Sequence, residues 1–230
     1  MIFQLETDPS ILPDPALAEE DGLLAVGGDL SPIRLLHAYQ AGIFPWYSED
    51  SPILWYAPHE RFVLFPENIR ISKSMKSILR SDKFHYTINQ VFPEVIQACS
   101  QIERKEQDGT WIVNDMIQAY CELHTLGFAH SVEVWNNNKE LVGGLYGVLI
   151  GQLFTGESMF SKESNASKYA LIQLAQNFDL QLIDCQIHSA HLERLGAEMI
   201  TQSDFLGILD QQEYRKNGLS LLTKEHHREI

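Results

Sequence analysis

Apolar and polar positions follow several different patterns along the chain, and their order predicts its elements. The first twenty residues, rich in proline and acid, predict an extended lead-in. GLLAVGGDLS packs an apolar stretch against paired glycines, and Ser31 followed by Pro32 marks a helix start, with serine as N-cap and proline at the first helical position. The helix PIRLLHAYQAG places Ile33, Leu36 and Ala41 along one side and stops near Gly42. IFPWYSEDSPILWYAP then reads as a loop and short strand dense in aromatics and proline. From residue 71 the period is helical again: Lys73, Lys76 and Arg80 recur on one side, with Met75, Ile78 and Leu79 on the other. Residues 91–104 and 113–126 predict two more amphipathic helices. HSVEVWNN, KELVGGLYGVLI and GQLFTGESMF predict three strands, the first two joined at an Asn-rich turn. NASKYALIQLAQNFD predicts a helix with Asn165 as N-cap, QLIDCQI a short strand, and SAHLERLGAEMI a helix ending near Gly196 with a strand-like tail.

This order predicts an α/β (α+β) chain in two parts: a small N-terminal domain over residues 1–65, and residues 66–230 as a mixed sheet with flanking helices. Antiparallel strands, helix, strand, helix is the order of an acetyltransferase-like (GNAT-like) core, an analogy of fold that does not fix chemistry. At 230 residues with 44% hydrophobic content, a substantial core is expected. Neither a basic start with an apolar run in MIFQLETDPS nor an apolar stretch of ~18–20 residues is present, so the expectation is a cytoplasmic protein with no membrane partner. Cys99, Cys121 and Cys185 lack a Cys-x-x-Cys spacing and read as reduced thiols.

The net charge of −14 argues against a nucleic-acid partner, but its distribution reopens the question. Every charged side chain before Arg34 is acidic, whereas residues 70–85 carry Arg70, Lys73, Lys76, Arg80 and Lys83 against Asp82 alone. Trp46 and Trp55 lie in proline-rich segments, and aromatics beside a basic helix suit single-stranded nucleic acid, which stacks at ~1–3 kcal/mol per base.

Asp184 and Gln186 lie two apart on the predicted strand LIDCQ, so their side chains leave one face. A carboxylate among apolar neighbours costs several kcal/mol unless paired. The residues alone leave two readings open: a structural hydrogen bond to a helix N-terminus, or a carboxylate polarising an amide or amine. Glu157 and Met159 are expected on one face of GESMFS, whose serine is not a nucleophile elbow. Gly143, Gly144, Gly147 and Gly151 lack a dinucleotide fingerprint and suggest close backbone approach, by a ligand channel or another chain segment. His188 and His191 lack zinc spacing and read as helix-surface histidines, so no metal is expected, and Cys185 alternates away from Asp184.

The runs GLLAVGGDLSPIRLLHAYQAGIFPWYSEDSPILW, GTWIVNDMIQAYCELHTLGFAHSVEVW, LVGGLYGVLIGQLFTGESMFSKESNASKYAL and LIDCQIHSAHLERLGAE closely resemble the bacterial leucyl/phenylalanyl-tRNA–protein transferases, from about residue 20 to 205. The resemblance implies transfer of leucine or phenylalanine, methionine less well, from aminoacyl-tRNA to an N-terminal arginine or lysine. The peptide bond so formed marks the acceptor for degradation as an N-degron. It implies Asp184 and Gln186 as the catalytic pair with Glu157 as supporting acid, Trp46 and Trp111 near the 3′-terminal adenosine, and a side-chain pocket of Leu145, Phe154, Met159, Leu174 and Ile183. Lys73, Lys76, Arg80 and Lys83 would hold the tRNA by phosphate contacts. No cofactor is needed, because the donor is already an ester, and the chain is expected to act as a monomer. Asp184 is expected to hydrogen-bond Gln186, whose oxygen orients the attacking amine. Two rival classes are a small-molecule N-acetyltransferase, which would want a glycine-bearing pyrophosphate loop where SKESNASK has none, and a non-catalytic tRNA-binding module, which would leave Asp184 and Gln186 unexplained.

Overall fold

A computed structural model describes residues 1–102, 112–215 and 218–222. The lead-in is ordered by pairing: β1 (Phe3–Leu5) lies parallel to β2 (Leu23–Gly27). α1 (Pro32–Gln40) follows, and β3 (Phe44–Pro45) and β4 (Leu54–Tyr56) complete a sheet in the order β1-β2-β4-β3. Ser31 caps α1 by accepting from the Arg34 amide at 3.5 Å, and Gly42 ends it in the left-handed region at φ +74, which a side chain would resist.

The face that α1 buries differs from expectation. Arg34, Leu35, Ala38 and Tyr39 point inward, while Ile33 is 57% exposed. A cation can turn inward here because Arg34 donates to the carbonyls of Glu6 (2.8 Å) and Asp8 (3.4 Å) and to Asp29, pinning the lead-in to the helix.

β5 (Glu60–Leu64) joins the larger sheet. α2 (Lys73–Arg80) ends at Ser81, and the helical pattern expected through residue 85 gives way to β6 (Phe84–Ile88), where aromatic and β-branched residues predominate. α3 (Phe92–Ser100) is shorter than the expected 91–104, and α4 (Asn114–Thr125) lies within the expected 113–126. β7 (Ala129–Asn136), β8 (Leu141–Ile150) and β9 (Leu153–Ser161) form an antiparallel meander, and α5 (Ala166–Asn177) crosses to β10 (Leu182–Asp184), parallel to β9. α6 (Ala190–Glu193) is a single turn and stops before Gly196. β11 (Glu198–Thr201), α7 (Gln202–Leu209) and α8 (Gly218–Leu221) follow. The strand order is β11-β5-β10-β9-β8-β7-β6, a mixed sheet with the predicted sequence of antiparallel strands, helix, strand, helix. Among the described residues, no helix is long and apolar enough to cross a membrane.

Asn165 precedes α5 but does not cap it with its side chain: it sits in the left-handed region at φ +73, and the Ser161 hydroxyl accepts from the Ser167 amide instead. The sheet is covered on both faces. Tyr146, Val148 and Ile150 of β8 share a core with α3, α4 and the N-terminal sheet, while Leu145 and Leu149 share one with α5. The β8 glycines serve this packing and not a ligand channel. A Cβ on Gly143 would lie 2.5 Å from that of Ala166 in α5, and one on Gly147 would lie 2.7 Å from the Phe154 ring.

Candidate active site

β10 carries Asp184 to the rim of a cavity of about 890 Å³. Asp184 is fully buried, and its partner is Arg61 of β5, which donates from Nε to Oδ1 at 2.8 Å and from Nη2 to Oδ2 at 2.7 Å. Such a bidentate fork is the strongest geometry available to an ion pair, and burial deprives it of competing water. The guanidinium lies between the rings of Phe44 and Phe205, 4.7 and 4.6 Å from their centroids, and donates to the Gly42 carbonyl just beyond α1.

The strand stops at Asp184. Gln186 adopts φ +64, and the Cys185 amide donates to the Phe62 carbonyl at 2.8 Å, so the chain turns instead of continuing the pleat. Asp184 and Gln186 therefore do not leave one strand face as expected. Asp184 Oδ1 accepts from the Gln186 backbone amide at 2.9 Å, holding the turn, while the Gln186 side chain reaches elsewhere. Its Nε2 donates to Glu157 Oε1 at 2.8 Å. Asp184 thus accepts from the Gln186 backbone, and the partner of the Gln186 side chain is Glu157.

Glu157 owes its position to a β-bulge. Gly147 pairs with Gly156 and Tyr146 with Ser158, leaving Glu157 as the extra residue between them. Its carboxylate also accepts from the hydroxyls of Tyr39 (2.8 Å) and Tyr120 (3.1 Å), which touch one another. Burial pushes Glu157 up to about 7. The three hydrogen bonds hold it below where burial alone would take it, and the Asp184 charge adds to the rise. The same burial and the Glu157 charge push both tyrosines well above their ordinary value, so they remain hydroxyl donors.

One wall of the cavity is apolar, and it gathers Leu145, Phe154, Met159, Leu174 and Ile183, with Trp46 at one side against Tyr56 at 5.5 Å. Trp111 lies outside the described residues. Trp55, read beside Trp46 as a platform for nucleic acid, is a core residue whose Nε1 donates to the Gly27 carbonyl. His188, 55% exposed, and His191 on α6 both line the cavity; His188 packs on Phe62 and contacts Glu193 at 3.3 Å, and burial lowers His191. Burial pushes the Cys185 thiol far up, which removes it as a nucleophile. No group of three metal-ligating side chains occurs among the described residues. Lys73, Lys76 and Arg80 are exposed along α2. Lys83 lies past its end, 3.6 Å from Glu163.

The sequence profile of the leucyl/phenylalanyl-tRNA protein transferases matches residues 63–210, and that of their N-terminal domain matches residues 28–59. The chain belongs to this family. A leucyl/phenylalanyl-tRNA–protein transferase of Syntrophus aciditrophicus is 55% identical over 86% of the chain and 84% of its own length. One of Flavobacterium johnsoniae is 54% identical over 86% and 94%. Within this transferase family member, Arg61, Tyr39 and Tyr120 are the parts that sequence reasoning missed. A cation inside the apolar run ERFVLF was a readable signal, because a buried guanidinium requires an anion. The tyrosines carried none, since each occupies an ordinary position in an amphipathic helix.

Proposed function

We propose that the chain transfers leucine or phenylalanine, and methionine less well, from aminoacyl-tRNA to the N-terminal arginine or lysine of acceptor proteins in the cytoplasm. The observation that carries this reading is the juxtaposition of an apolar cavity with a buried amide, Gln186, oriented by a carboxylate at 2.8 Å, in a chain of this family. The apolar wall suits a side chain unbranched at Cβ, and Met159 can adapt to leucine or phenylalanine.

The acceptor's α-amine, with a reference pKa of ~7.7–8.0, is partly neutral at cytosolic pH, so orientation matters more than a strong base. Because Gln186 Nε2 donates to Glu157, its Oε1 is fixed and enriched in electron density. That oxygen accepts a hydrogen bond from the amine as its nitrogen attacks the ester carbonyl. The bond to the ribose oxygen then breaks, and the proton leaving nitrogen ends on the released ribose hydroxyl. Gln186 touches the reacting amine. Glu157 acts through it, and Asp184 with Arg61 fixes the turn that presents it. The lysines and Arg80 of α2 contact phosphates, and Trp46 stacks on the terminal base.

The test is to incubate the protein with labelled Leu-tRNA and an Arg-initiated peptide and to follow label into peptide. Gln186→Met keeps the bulk but not the amide. It should lower kcat at least about 100-fold and leave aminoacyl-tRNA affinity within about two-fold. Wild-type transfer by this variant would end the proposal. Reversing Lys73, Lys76 and Arg80 to glutamate should weaken tRNA binding and reduce its log–log salt slope by roughly 2.7; an unchanged slope would return α2 to a solvated face.

A further inference from the structure

Glu157 is reached by two elements outside the strands that carry the rest of the site. Tyr39 comes from α1 and Tyr120 from α4, and both rings are buried, edge to face with centroids 6.5 Å apart. Tyr39 donates to Oε1, the same oxygen that receives Gln186, and Tyr120 donates to Oε2. Among the described residues, every hydrogen bond given to this carboxylate thus comes from a neutral donor, and two of the three donors are hydroxyls. Tyr120 is braced in turn by Tyr146 of β8, ring to ring at 5.7 Å. A buried carboxylate with no cation beside it is charged only as far as such donors allow.

We propose that Tyr39 and Tyr120 are positioning residues of the transfer reaction, holding the Glu157 carboxylate charged and turned toward Gln186. This rests on the reading that Glu157 acts through Gln186. The titratable and charged groups packed about Glu157 are Tyr39, Tyr120 and Tyr146, Asp184 with its partner Arg61, and Cys185 beside Asp184. Among these, only the two hydroxyls both touch the carboxylate and can be deleted without disturbing a charge.

The experiment is the pH dependence of kcat for Tyr39→Phe and Tyr120→Phe in the full chain, with Leu-tRNA and an Arg-initiated peptide at saturation, in incubations short enough to outrun ester hydrolysis. Phenylalanine keeps the ring packing and removes one donor. Loss of a hydrogen bond to a charged group should raise the acidic limb by about one pH unit. The rate at pH 7 would then fall roughly five-fold, with convergence on wild type at the alkaline plateau. The acceptor amine titrates identically in every variant, so it cannot produce the difference. A limb that stays in place, with or without a uniform drop in rate, would overturn the proposal, because a structural role moves the plateau and not the limb. If one variant does not fold, the other decides. Glu157→Gln separates the two claims. Should it keep the wild-type limb and rate, the underlying reading of Glu157 fails; should it lose the limb while both phenylalanine variants retain theirs, only the role of the tyrosines fails.

Discussion

Asp184 and Glu157 are carboxylates on neighbouring strands of one sheet, both excluded from water, yet their surroundings are opposite. Asp184 is held by a guanidinium through two charge-assisted hydrogen bonds and adds a backbone amide. Among the described residues, Glu157 accepts from two hydroxyls and an amide, with the Asp184 charge nearby raising its cost of ionisation. The first environment holds the carboxylate in one place through three hydrogen bonds, which suits an anchor. The second leaves protonation balanced at about 7, which suits a group whose influence on its neighbour varies with conditions. Two acids that look alike in sequence are therefore divided by their partners into a structural and a responsive role.

Breaking the anchor should have the largest effect. Arg61→Met leaves Asp184 buried and unpaired and should cost about 3–5 kcal/mol in urea denaturation. Adding Asp184→Leu to it should recover most of that stability while transfer stays absent, since the Gln186 amide then has no acceptor. A cost below about 1 kcal/mol for Arg61→Met would mean that Asp184 is not held as described.

Glu157 should show itself through pH. In the folded chain it titrates at about 7 against an ordinary value near 4.5, so between these values the folded chain keeps a proton that the unfolded chain has released. Its contribution is full below about 4.5 and is lost as pH rises through 7, on the order of 3 kcal/mol in all. Glu157→Gln should flatten that slope in denaturation curves measured from pH 5 to 8. An identical slope in wild type and variant would mean that Glu157 does not titrate in this range.

Lys83 supplies a partly exposed counterpart. Its pair with Glu163 spans 3.6 Å, with side chains 43% and 35% exposed. Lys83→Ala should change stability by less than about 1 kcal/mol. A larger loss would show that surface charge matters here on the scale of the buried pairs.

Strands and helices with clear periodicity were legible: β7, β8, β9, α4 and α5 lie where the apolar pattern puts them. The pattern failed where a polar side chain turned inward, as Arg34 did in α1, because a binary code assigns every cation to the surface. It failed again at chain irregularities. Two-residue spacing put Asp184 and Gln186 on one strand face, but the left-handed Gln186 and its contact with Glu157 depend on a turn secured by Phe62, over a hundred residues earlier. The residues that line the cavity were nameable from family resemblance. Their hydrogen bonds were not, because Tyr39, Tyr120 and Arg61 converge only through tertiary packing.

The bulge in β9 has a bearing on how such a site could arise or be lost. On either side of Glu157 the pairing with β8 is regular, so removing one residue there would let the ladder close without a gap. The product would keep its sheet, its helices and both cores, yet have no acid facing Gln186. Insertion and deletion, more than substitution, are thus the sequence changes to inspect when asking which members of the family have kept the reaction.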